Sequence, residues 1–352
     1  MREVAVISFA QTPYVRRERR RSEVEMLLPV IGQAIERSGI PKPEIGFTCS
    51  GSSDYIAGQA FAFVSAVDAL GAWPPISESH VEMDGAWALY EAWVKLQLGE
   101  AKTALVYGYG KSSPGSLRDV LATQLDPYAV APLGPDAFGI AGLQARLMLD
   151  AGDVTERDLA AIASRSLADA ESNPLALRKG QRTVAELLAE PFVNDPLRAH
   201  DVPARADGGA AVILATREVA ERVCERPAWI RGIDHRMDMH HFGARDPRRA
   251  LSAQLAGRAA GVGADRVDLA ELDAPFTHQE SLLVTELGLD PEATRINPSG
   301  GSLCGHVMMG AGLMRIGEAA SRVHRGEADR VVAHATSGPW LQQNLVAVME
   351  GA

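Results

Sequence analysis

Asn297-Pro298-Ser299-Gly300-Gly301-Ser302-Leu303-Cys304-Gly305-His306 stands between two helical patterns in the second half of the chain. Pro298 and the glycine pair break regular structure and predict a tight turn. On its N-terminal side, Leu269 to Leu272 reads as a strand and His278 to Glu286 as a helix. On its C-terminal side, a helix is expected from about Val307 to Val323, then strands at Arg330 to His334 and Leu345 to Met349. Further upstream lie a strand at Ala228 to Ile233 and a helix at Asp246 to Ala260. A glycine-rich turn between a strand–helix unit and a helix is where an α/β protein gathers polar groups, and His306 is the one titratable residue of the stretch that acts near neutral pH.

The first half alternates in the same way. Strands are expected at Val4 to Phe9, Ile45 to Ser50, His80 to Met83, Thr103 to Tyr109 and Ala210 to Ala215, with helices at Val24 to Arg37 and Gly85 to Leu98. Strands separated by helices of ten or more residues indicate parallel pairing covered on both faces. Between Ser113 and about His200 the pattern turns helical (Gly139 to Ala151, Thr155 to Ala170, Val184 to Ala189), and no strand is evident. Residues 113–200 therefore read as a helical insertion in a first half of residues 1–218, followed by a second half of residues 219–352.

The halves echo each other. Gly99-Glu100-Ala101-Lys102-Thr103-Ala104-Leu105-Val106 matches Gly326-Glu327-Ala328-Asp329-Arg330-Val331-Val332-Ala333, each after a helix and leading into a strand, which favours a duplicated α/β unit. A length of 352 residues suits two such units. The net charge of −10 argues against general nucleic-acid binding, which needs a basic face. One local exception is Arg16-Arg17-Glu18-Arg19-Arg20-Arg21, read either as a solvated loop or as a contact for the phosphates of a nucleotide-tailed substrate or an acidic partner. Three cysteines at no ligand spacing suggest neither disulfides nor zinc. Asp234-His235, Asp238 and His240-His241 have the composition of a metal site but read as a polar turn, so no metal is expected. With no apolar run long enough to span a bilayer and no leader pattern, the expectation is a cytoplasmic protein.

Asn297-Pro298-Ser299-Gly300-Gly301 followed by Gly305-His306 resembles the NPSGG…GH segment of thiolases. Ala270-Glu271-Leu272-Asp273-Ala274-Pro275-Phe276 resembles the AELHDCF-type loop of the lipid-transfer-protein (sterol-carrier) branch, with Asp273 where that branch has His or Asn. Asp207-Gly208-Gly209-Ala210-Ala211 is similar to its DGAAA segment, and Ala335-Thr336-Ser337-Gly338-Pro339-Trp340 to the loop holding a second cysteine. The resemblance spans the chain and implies a thiolase-like fold: two duplicated α/β halves with central mixed sheets, plus a helical loop domain. It also implies acyl-CoA chemistry of lipid or sterol-side-chain breakdown, with CoA as part of the substrate and no further cofactor, and a homodimer. A small OB-fold protein or a second thiolase-like chain is the implied partner.

The resemblance also marks what is absent. A thiolase attacks with a cysteine at the start of the first half's central helix, where amides and the helix dipole favour a thiolate. Here the aligned residue is Gly85 in Val81-Glu82-Met83-Asp84-Gly85-Ala86-Trp87-Ala88, and Trp340 stands at the second cysteine position. His306 and Asp273 remain as catalytic candidates, either one the base and the other the donor to an oxyanion. Asp84 reads first as a helix N-cap. Gly85, Asp84, Gly305, Ser337, Gly338 and Trp340 are expected around the pocket, and Cys304 is the nearest thiol that could replace the nucleophile. Three functions stay open: retro-aldol cleavage of a β-hydroxyacyl-CoA without an acyl-cysteine, a non-catalytic subunit of a hetero-oligomer, or an acyltransferase using Cys304.

Overall fold

A computed structural model describes residues 2–241 and 243–351. The strands are β1 (Val4–Gln11), β2 (Phe47–Gly51), β3 (Glu78–Val81), β4 (Thr103–Gly110), β5 (Phe192–Asn194), β6 (Leu197–Arg198), β7 (Gly208–Thr216), β8 (Ala228–Met237), β9 (Leu269–Leu272), β10 (Arg295–Ile296), β11 (Arg330–Ser337) and β12 (Gln343–Glu350). Ten of them form one sheet in the order β10-β9-β11-β12-β8-β1-β7-β4-β2-β3. Read outward from its middle, the order is 1-7-4-2-3 on one side and 8-12-11-9-10 on the other, the same path twice. β2, β3 and β4 run parallel to one another, as do β9, β10 and β11, whereas β1, β7, β8 and β12 pair antiparallel. Within the sheet, the two sides are paired through Ala5↔Trp229 and Val6↔Ala228 of β1 and β8.

The matched octapeptides end up at equivalent places, each leading into the strand third from its edge, β4 or β11. Gly99 and Gly326 close the preceding helices at φ 79° and φ 70°, a left-handed turn that a side chain would resist. Those helices, Gly85–Leu98 and Ala311–His324, form a central layer. The second one packs against β1 and β7 as well as β9 and β11, so it belongs to the cores of both sides. Outer helices Glu23–Ser38 and Leu251–Ala260 cover the other faces, on β1/β7 and β8/β12.

Several boundaries depart from the sequence reading. Residues 113–200 contain a strand pair after all, the antiparallel hairpin β5–β6, turning at Asp195-Pro196. The helix expected from Asp246 begins at Leu251, because the Asp246 carboxylate caps Arg248 N–H at 3.0 Å and holds Asp246–Arg249 in a turn. The helix expected from about Val307 begins at Ala311, since Met309 takes φ 66° and its carbonyl is bonded outside the helix. Leu143 and Leu147 of the insertion helix Ala137–Ala151 are exposed at 51% and 37%, while Met148 and Leu187 are buried.

Candidate functional site

The turn Asn297–Gly301 is held from beneath by buried polar groups. Asn297, at φ 49°, accepts from Leu272 N–H at 2.6 Å through Oδ1 and donates to Glu280 at 2.7 Å through Nδ2. Ser299 donates to Glu271 from its amide (3.0 Å) and hydroxyl (2.7 Å). Glu271 also receives Arg315 Nη1 at 2.8 Å, and Arg315 Nη2 reaches the Tyr14 oxygen at 2.8 Å. Burial pushes the Tyr14 phenol up to about 12, so it stays protonated. Its ring lies over Gly305, where a Cβ would stand 2.5 Å from a ring carbon. Glycine is therefore required at 305 by close approach, and that contact sets the path of the chain into His306.

His306 is clamped through its backbone: its amide donates to Ala204 O and its carbonyl accepts from Ala206 N–H, both at 2.9 Å. Its ring Nε2 faces Asp273 Oδ1 at 3.6 Å, a charge contact longer than a hydrogen bond. Ser302 Oγ donates to the same Asp273 oxygen at 2.7 Å. The imidazole side chain is 12% exposed against 3% for the carboxylate, so Asp273 stands behind His306. Nδ1 of His306 has no hydrogen-bond partner among the described residues. Burial holds the imidazole below its ordinary pKa of 6.5; Asp273 opposes this, and Arg315 and Arg205 add to it. At neutral pH the ring is uncharged and able to accept a proton.

Asp84 is an N-cap, and of two helices at once. Its carboxylate accepts from Ala86 N–H at 2.8 Å in the first turn of Gly85–Leu98. It also accepts from Gly312 and Leu313 N–H at 3.1 and 3.0 Å in the first turn of Ala311–His324. Burial, then the nearby Asp273 charge, push it up to about 7 against the pull of the three amides. Gly85 offers neither an oxyanion amide nor open space. Its N–H donates to Met309 O at 2.9 Å, and a Cβ there would meet Gly108 Cα and Leu313 Cδ2 at 2.9 Å each.

The remaining expected pocket residues sit elsewhere or are occupied. The Gly305 amide donates to Gly301 O. Ser337 ends β11 opposite Gln343, and Gly338, at φ 90°, turns tightly against the Gln342 side chain. Trp340 is buried in a cluster with Leu125, Val130 and Ile140, its indole donating to Ile140 O at 2.6 Å, so it anchors the insertion. Cys304 is buried, its thiol donates to Ser166 O at 3.3 Å, and burial pushes it up to about 12, which argues against a thiolate nucleophile. Tyr14, Ser302 and Arg315 were not singled out in the sequence. Ser302 lies inside the quoted segment, but nothing local says that its hydroxyl meets Asp273, 29 positions upstream.

Two openings adjoin this region. One, of about 820 Å³, reaches Arg205 and Ala206, the latter the donor to the His306 carbonyl. The other, of about 440 Å³, is lined by Leu177, Arg178, His200 and Leu303 among others. Among the described residues no helix is long and apolar enough to cross a membrane.

No protein-family model matches the chain. It is similar to the benzoylsuccinyl-CoA thiolase subunit BbsB of Thauera aromatica, 29% identical over 42% of this chain and 39% of that protein. It is also similar to sterol carrier protein 2 of Gallus gallus, 23% identical over 95% of this chain and 69% of that protein. The chain thus spans well under half of the first relative. Among solved structures, the Ltp2-ChsH2(DUF35) aldolase superposes with a TM-score of 0.81 at 17% identity, covering 99% of this chain and 98% of that one. Human mitochondrial 3-ketoacyl-CoA thiolase superposes at 0.80 and 16% identity, covering 100% and 99%. The fold is the thiolase fold.

Proposed function

We propose that this chain acts on a CoA thioester and cleaves the Cα–Cβ bond of a β-hydroxyacyl-CoA by a retro-aldol step, without an acyl-cysteine. The observation that carries this reading is the buried Nδ1 of a neutral His306, without a hydrogen-bond partner among the described residues, on a ring whose other nitrogen faces Asp273. His306 Nδ1 takes the proton of the β-hydroxyl, and the Cα–Cβ electron pair moves into the thioester as an enolate. A carbonyl product leaves. The imidazolium, steadied by Asp273, returns the same proton to Cα, so atoms and electrons balance with no external oxidant. Asp273 is then a positioning residue. The closed space at Gly85 and the buried Cys304 thiol fit a reaction that needs no sulfur.

The Ltp2-ChsH2(DUF35) aldolase and the BbsB thiolase subunit, both named for assemblies, support a partner chain for this one, and a homodimer is proposed with it. The test is incubation with β-hydroxyacyl-CoA thioesters, alone and with candidate OB-fold or thiolase-like partners, following the acyl-CoA and carbonyl products. Product formation that disappears in His306→Ala is expected. Absence of cleavage in every combination would sink the reaction and leave a non-catalytic subunit as the better account.

A further inference from the structure

Arg205 pairs with His306 in an isolated parallel bridge. The His306 amide donates to Ala204 O and the Ala206 amide to His306 O, each at 2.9 Å. Residues paired in this way send their side chains to one face, so the guanidinium and the imidazole leave the backbone side by side. The Arg205 guanidinium lies over the Phe138 ring, 4.9 Å from its centroid, and Phe138 meets Phe276 edge-on at 5.9 Å. Phe276 follows Asp273 by three positions, so the segment that carries Asp273 also braces Arg205. Arg205 is exposed to the cleft and makes no ion pair or side-chain hydrogen bond among the described residues. Asp136, whose charge it feels, is taken by Arg118 at 2.8 Å and by Gly139 N–H at 2.7 Å. Arg16, Arg17 and Arg19 of the basic run and Arg118 line the same cleft, but of these five arginines Arg205 is the one paired with His306.

Carbon–carbon cleavage sends an electron pair onto the thioester oxygen, and a charge developing there needs a donor already in place. The backbone donors beside the site are spent: Gly85 N–H on Met309 O, Gly305 N–H on Gly301 O and His306 N–H on Ala204 O. Two cations act on the imidazole, Arg315 and Arg205. Arg315 is buried and held by Glu271, Ser299 and Tyr14, which leaves Arg205. We propose that Arg205 is a catalytic residue, the donor that holds the enolate oxygen while His306 carries the proton. No bond to the guanidinium forms or breaks; it stays protonated, and the charge it faces is discharged when the proton returns to Cα. Naming the anion as a thioester enolate rests on the proposed function.

The test compares the whole chain with R205Q and R205K. The probe is acetoacetyl-CoA, whose α-proton ionises to an enolate with its own near-ultraviolet absorbance, so that oxyanion stabilisation is read without any cleavage. Wild type is expected to bind it and to show the enolate at a pH where the free thioester shows none. R205Q should raise the ionisation of the bound probe by at least about one pH unit, tenfold in the enolate fraction, and R205K by less. For cleavage of a β-hydroxyacyl-CoA, R205Q should lower kcat about a hundredfold with KM within about threefold. A proton NMR titration of His306 should move to higher pH in R205Q, because a cation is removed from beside the ring, and stay near wild type in R205K. No binding of acetoacetyl-CoA at millimolar concentration, no enolate on wild type, equal enolate on R205Q, or a His306 titration that R205Q leaves unmoved overturns the assignment. An enolate that depends on Arg205, with no cleavage of any β-hydroxyacyl-CoA, upholds the oxyanion site and counts against the reaction alone. Cleavage with an unchanged kcat in R205Q counts against Arg205 alone.

Discussion

In the proposed reaction His306 is the residue on which the chemistry turns, and its surroundings make its behaviour predictable. The base must be neutral, so kcat/KM for cleavage should rise with pH through an acid limb lying below pH 6.5, where burial holds the imidazole. Asp273 is the group that raises that pKa. Asp273→Asn should therefore move the limb to still lower pH while reducing kcat, and a limb that stays put would remove Asp273 from its positioning role. Cys304→Ala should leave kcat within about twofold, because the thiol is buried and bonded to a carbonyl; loss of activity would restore the acyl-enzyme alternative. Gly85→Cys should not recover thiolysis. It should destabilise the protein by about 1–3 kcal/mol in denaturant titration, through the clash with Gly108 and Leu313.

At the scale of elements, one carboxylate ties two helices. Asp84 caps Gly85–Leu98 and Ala311–His324 together, and a Cβ at Gly312 would collide with it, standing 2.7 Å from Oδ1. Its pKa is raised from 3.8 to about 7 by burial and Asp273, so the folded chain holds this proton more tightly than the unfolded one. The stabilisation is full below about pH 4 and is lost as pH rises through about 7. The stability advantage of wild type over Asp84→Asn should accordingly shrink between pH 5 and pH 8, measured by urea titration at each pH. An advantage that grows with pH would mean that the amides outweigh burial.

For the whole molecule, the shared central layer matters more than the two residue pairs joining β1 to β8. Helix Ala311–His324 is buried on both sides, and Gly317 on it lies so close to Phe9 of β1 that a Cβ would overlap the ring. Calorimetry should show one unfolding transition, and Gly317→Ala should lower it without splitting it. Two separate transitions would show that the halves are held apart energetically despite that contact.

The strand–helix alternation, the repeated octapeptide and the segment Asn297–His306 were enough, on sequence alone, to specify a duplicated α/β fold of the thiolase kind and to single out His306 and Asp273. These are local signals: periodicity, turn chemistry and a short motif survive in one dimension. The helix starts at Leu251 and Ala311 were missed because an Asx turn and a carbonyl bonded at long range overrode helical periodicity. Only the tertiary structure decided that Asp273 sits behind His306, that Asp84 serves two helices and that Gly85 is walled in by Leu313, 228 residues away. It also decided that Trp340 anchors the insertion and that three arginines of one loop meet two from elsewhere. Each depends on contacts between residues far apart in the chain, whose distances are set by how the two sides of the sheet close on their common helices.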